Sequence, residues 1–350
     1  MKKIISLLLT LIMVFSLATV AFAEEETPAT PKYTDASTIT FTKSYEAVGE
    51  GAVSPKETFE FENIAFVSAT ETGVDYTEDW ATNNLPTIST VEYIEGAAGS
   101  ENKTGTFTVT LPTNYPSVGI YTYSFNEKDK NVEGVTYNTT TMRLVVTVVE
   151  EDGLKRVAAV HCEPVAAEGE TQVPKTNTFD NTYSAGKLSV KKQVTGNLGD
   201  KTKEFKIKVS FTASEGDTVM SNITYTDTDD NVPKTIEAGA SGWTTKDVEI
   251  TLNHDETITF ANIPEGVTYA VVETDLANKA NAGATDTYTA TYSGENGTIV
   301  AGETSNAVVT NTKETDVDTG ISLDSAPYFL MLAVAVFGMV ALVSKKRYEF

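Results

Sequence analysis

Residues 39–45 read ITFTKSY. In a β-strand, side chains two apart share a face. Ile39, Phe41 and Tyr45 therefore point together toward a core, and Lys43 points with them. A strand lysine ordinarily faces water, and a bulge would move it there by shifting parity. Residues 188–194, LSVKKQV, repeat the pattern: Lys192 shares a face with Leu188, Val190 and Val194, while Lys191 takes the other.

The same alternation runs through the body of the chain, in FEFENIAF, GTFTVTLP, IYTYSF, RLVVTVV, FKIKVSF and TYAVV. These runs are rich in Thr, Val, Tyr and Phe and bounded by turn residues, and none has a convincing helical period. They predict an all-β protein of antiparallel, immunoglobulin-like β-sandwiches. An internal repeat divides it. TFTVTLPTNYPSVGIYTYSFNE (106–127) matches TITFANIPEGVTYAVVE (257–273). Each has an alternating strand, an apolar-Pro pair, a Gly, and Tyr-x-x-x-Glu ending at Glu127 or Glu273. The halves close on FDNT (179–182) and VTNT (309–312). Two tandem domains are expected, 36–184 and 186–314, joined near Ser184-Ala185-Gly186.

Both ends of the chain lie outside these domains. Residues 1–23 read as a secretory signal peptide: Lys2 and Lys3, an apolar run, then Ala21-Phe22-Ala23. Residues 24–35, rich in Pro, Thr and Glu, read as a flexible lead-in. Residues 326–344 are apolar enough to span a bilayer, and the basic tail 345–350 marks its cytoplasmic side. The formal net charge is −23, and the two ends carry more basic than acidic residues, so the exported body is more acidic still. That excludes nucleic acid as a natural partner. Cys162, the single cysteine, can form no disulfide within the chain and reads as a small buried hydrophobe.

Parity also places Glu127 with Tyr121, Tyr123 and Phe125, and Asn181 with Phe179 and Tyr183. Glu273 falls with Tyr269 and Val271, and Asn311 with Val309. Singly, each has a plain explanation: a solvated lysine, or an Asn forming a turn. The trio recurring at matching places in a repeat points to chemistry. Burial favours the neutral amine of Lys and the protonated acid of Glu. A neutral amine is a nucleophile, and the carboxyl can polarise the Asn amide and move protons. The product is an amide between the Lys and Asn side chains, with ammonia released and the proximity supplied by folding.

These stretches, ITFTKSY and LSVKKQV with YTYSFNE, YAVVE, FDNTY and VTNTK, resemble the Gram-positive major (backbone) pilins of the streptococcal type, which carry internal isopeptide linkages and are anchored by sortase. The resemblance covers essentially the whole chain. It implies a Lys43–Asn181 bond promoted by Glu127, and a Lys192–Asn311 bond promoted by Glu273. It also implies a sorting segment at 315–325. Val317-Asp318-Thr319-Gly320 resembles the sorting motif at its Thr-Gly pair, with Asp316 and Val317 standing where Leu and Pro are usual. Cleavage would fall between Thr319 and Gly320. Gln172-Val173-Pro174-Lys175-Thr176-Asn177 resembles the pilin motif, which makes Lys175 the polymerising amine; a plain surface lysine is the alternative.

The partners implied are a sortase, identical subunits in a covalent polymer, and cell-wall peptidoglycan, with a host surface ligand left open. No cofactor or metal is implied. Asp227-x-Asp229-x-Asn231 starts like a calcium loop, but Val232 and Ala238 stand where Gly and Glu are required, and His161 and His254 are isolated. The expectation is a structural pilus-shaft subunit with single-turnover crosslinks that give mechanical and proteolytic stability. A single-copy wall-anchored adhesin or stalk, and a membrane-retained receptor or enzyme ectodomain, are the competing readings.

Overall fold

The structure, a computed structural model, describes residues 36–70, 76–166, 174–226, 231–274, 288–315, 328, 330–337 and 339. The expected signal peptide, lead-in and basic tail lie outside these residues, as do Thr319, Gly320, Asp227 and Asp229. Residues 330–337 are helical. Among the described residues no helix is long and apolar enough to cross a membrane.

In the first half the strands are β1 Thr38–Val48, β2 Glu57–Phe59, β3 Phe61–Thr70, β4 Thr87–Ile88, β5 Val91–Tyr93, β6 Thr104–Thr110, β7 Gly119–Glu127, β8 Val135–Thr136, β9 Met142–Glu151, β10 Leu154–Pro164 and β11 Thr178–Thr195. A short helix, Glu78–Asn83, interrupts them, capped by the Thr77 side chain. One sheet runs β10-β9-β7-β3, and the other holds β11-β1-β6-β4. Their alternating apolar faces meet in an aromatic core. Phe41, Phe61, Phe107, Phe125 and Phe179 lie with ring centroids 4.3–6.1 Å apart. Stacked, tilted and edge-to-face pairs of this kind add to area burial.

The second half holds β12 Phe205–Thr212, β13 Ile223–Thr226, β14 Pro233–Ile236, β15 Thr245–Leu252, β16 Thr257–Pro264, β17 Thr268–Glu273, β18 Thr289–Ser293, β19 Asn296–Thr298 and β20 Thr304–Thr312. A sheet of order β15-β12-β17-β19 faces β13-β16-β11-β20 across a core of Leu188, Val190, Val209, Phe211 and Phe260.

Two features depart from simple antiparallel sandwiches. β1 pairs β11 in parallel, and so does β20. Moreover, Ser184-Ala185-Gly186 forms no turn: β11 runs unbroken from one core into the other. Gly186 is needed there for space, since a Cβ on it would sit 2.3 Å from the Val300 carbonyl oxygen.

Polar clasps flank this shared strand. The Asn262 side chain accepts from Val53 N–H at 2.8 Å and donates to the carbonyls of Val53 at 3.0 Å and Asn222 at 2.8 Å. The buried Glu133 carboxylate accepts from the backbone and hydroxyl of Ser214. Gly266, at φ +93°, leaves room for it, because a Cβ there would meet Glu133 Oε1 at 2.2 Å. Asn262→Ala strands the Val53 groups and should cost about 1–3 kcal/mol. Thermal unfolding would read that cost, and unchanged stability would show that water replaces the clasp.

Candidate functional site

Lys43 is 0% exposed, Glu127 2% and Asn181 1%. β1 and β11 place the lysine and asparagine. Lys43 stands opposite Phe179 in the parallel register, and Asn181 follows two residues on, on the same face. β7, in the facing sheet, supplies Glu127. Lys43 Nζ donates to Glu127 Oε2 at 2.6 Å and to Asn181 Oδ1, while Asn181 Nδ2 donates to Glu127 Oε1. The carboxyl therefore bridges the amine and the amide.

The second half repeats the geometry. Lys192 stands opposite Val309, with Asn311 two residues on; Glu273 comes from β17. Lys192 Nζ donates to Glu273 Oε2 at 2.8 Å, and Asn311 Nδ2 donates to Glu273 Oε1 at 2.8 Å. Lys192 and Asn311 are 0% exposed and Glu273 2%. Asn311 Oδ1 is buried without a hydrogen-bond partner. The two trios thus share the strand pairing, the two-residue offset and the bridging carboxyl.

Burial pulls the Lys43 amine below the ordinary lysine range, though the Glu127 charge opposes this. Burial likewise pushes the Glu127 carboxyl up, against the pull of Lys43. Both directions favour the neutral pair, an amine beside a carboxylic acid. Lys192 is also lowered, chiefly by burial.

Each site contains an aromatic residue that parity reading missed. Phe59 lies 4.5 Å from Lys43 Nζ, centroid to nitrogen, and Phe205 lies 4.5 Å from Lys192 Nζ. Both are fully buried. They sit at comparable points in the two halves, in the first alternating runs after the lysine strands, and that recurrence was their only signal. The ring walls exclude water from the nitrogen, which maintains the desolvation that deprotonates it.

Lys175 is exposed, just before β11. It precedes the start of β11, whereas Thr312 pairs with Thr195 at the far end of that strand. Cys162 is buried and its thiol is pushed up to about 12 by burial, a packing residue rather than a nucleophile. His254 accepts from Val194 N–H at 3.0 Å. Among the described residues no group of three or more His, Cys, Asp and Glu could hold a metal.

Each half thus holds a Lys, a Glu and an Asn in direct hydrogen-bond contact inside a β-sandwich. Residues 22–184 match the family model described as "Spy0128-like isopeptide containing domain", and residues 186–313 match one described as a domain of unknown function (DUF7601). The first half of the chain is thus similar to that isopeptide-containing family. Along its length the chain is similar to a protein named "Pilin" from Streptococcus pyogenes serotype M1, 26% identical over 327 residues, covering 88% of this chain and 91% of the relative. Its fold is similar to that of a variant of the S. pyogenes major pilin, with a TM-score of 0.50 and 23% identity over 80% of this chain and 99% of the other. A second S. pyogenes major pilin (T3.2) gives 0.50 and 21%, with coverage of 80% and 99%.

Proposed function

We propose that the chain is the repeating subunit of a covalently polymerised pilus shaft, built from two immunoglobulin-like sandwiches that each seal themselves with one Lys–Asn amide. The observation that carries this reading is the pair of buried trios in identical register. In the first, the neutral Lys43 amine bonds to the Asn181 side-chain carbonyl carbon. Glu127 takes a proton from the attacking nitrogen through Oε2 and gives one to the departing amide nitrogen through Oε1. The C–N bond of the Asn amide breaks, and ammonia leaves. Glu273 does the same between Lys192 and Asn311. Neither site turns over.

Export through residues 1–23, retention by 326–344, sortase cleavage between Thr319 and Gly320, and transfer to Lys175 of the next subunit complete the reading, with the last subunit passed to peptidoglycan. The opposite placement of Lys175 and the chain's exit along β11 supports head-to-tail growth. Denaturing gels of cell-wall extracts test it. A ladder of high-mass species is expected, collapsing to one band in Lys175→Ala. A single band in the wild type would favour a single-copy anchored stalk. A mature chain retaining residues 320–350 would favour a membrane-retained ectodomain.

A further inference from the structure

A cluster of ionisable side chains gathers around Lys175. The segment entering β11 closes on the edge of β10, where Thr176 N–H donates to the Cys162 carbonyl at 2.9 Å in an isolated antiparallel bridge. One step along from that bridge, Lys175 comes opposite Glu163. His161, two residues from Glu163, shares its face. Cys162 takes the other side, in the core. His161 Nε2 lies 3.6 Å from Glu163 Oε2, both side chains partly exposed. On the other edge of β10, β9 sets Arg143 opposite Glu163 and Val145 opposite His161. Among the described residues, the charged groups around the imidazole are therefore Lys175, Glu163 and Arg143. Burial lowers the His161 pKa, the Lys175 charge lowers it further, and Glu163 opposes both.

We propose that His161, oriented by Glu163, accepts the proton Lys175 loses when it is acylated during polymerisation. This rests on Lys175 being the acceptor amine. The reaction has a defined proton to remove. The free Lys175 amine bonds to the carbonyl carbon of the incoming acyl thioester, and the nitrogen of that tetrahedral adduct becomes acidic. Its proton passes to the neutral imidazole, the C–S bond breaks, and the departing thiolate takes a proton back from the imidazolium. The balance is amine plus thioester giving amide plus thiol. Glu163 stabilises the transient imidazolium, and general-base assistance of this kind is worth rate.

The test uses the folded exported chain and a small acyl thioester, with acylation at each lysine read by peptide mass mapping. Lys103, exposed on the same domain, is the internal reference. Lys175 should react several-fold faster than Lys103 at pH 7.5. That ratio should fall toward one in His161→Gln, and in the wild type on acidification far enough to protonate the imidazole, which burial and the Lys175 charge hold below the ordinary histidine range. Glu163→Gln should give an intermediate ratio. Thermal melting checks that both variants are folded. A ratio unchanged by His161→Gln or by acidification overturns the proposal. Ladders that persist in Lys175→Ala would instead overturn the choice of acceptor, a result independent of the reactivity ratio.

Discussion

Replacing Glu127 with Ala should return one ammonia to the mass of the exported chain, and Glu273→Ala another. The wild type should weigh two ammonia molecules less than its sequence. The reasoning is geometric: among the described residues, each carboxyl is the only group hydrogen-bonded to both the lysine amine and the asparagine amide nitrogen. Without it the amine has no proton acceptor in a core that excludes water. Stability should fall with the bond. Lys43 and Asn181 are 138 residues apart, and crosslinking a loop that long is worth roughly 5 kcal/mol on the chain-entropy account. At a few degrees per kcal/mol that is about 10–20 °C in Tm. A full calculated mass for the wild type would refute the pairing outright, whatever the melting temperature.

The second large effect is mechanical and asymmetric. A pull between Lys175 and the chain's exit enters β11 at its start and follows its backbone to Lys192. With the proposed Lys192–Asn311 amide formed, it then crosses that bond and leaves beyond Thr312. The rest of the second domain hangs from that route as a closed loop. Lys192→Ala removes the shortcut, so single molecules held at those two points should lengthen by about 400 Å, at the ~3.3–3.6 Å per residue of extended chain. Lys43→Ala should leave the extension unchanged, because Lys43 is off the route. Equal lengthening in both variants would show that force travels through the first domain.

Parity in ITFTKSY and LSVKKQV was enough to place Lys43 and Lys192 on apolar faces, because a half-buried strand writes its burial at period two. The neighbours of those strands were not legible. The parallel pairing of β1 with β11 is decided by topology, and nothing local to FDNT states which strand it will lie beside. Gly186 was read only as part of a junction, because sequence records the missing side chain and not the Val300 carbonyl that requires it to be missing. Phe59 and Phe205 were hidden for a related reason: an aromatic residue in a strand signals a core, not which nitrogen it covers. The clasps at Asn262 and Glu133 join residues up to 209 positions apart, beyond any local pattern.

The unbroken β11 separates two kinds of selection. Sheet β10-β9-β7-β3 of the first domain lies beside the line that bears traction, and substitutions on its outward face cost the fibre no tensile strength. Apart from His161 and Glu163 beside Lys175, that face can vary while the strut beneath it keeps its strength.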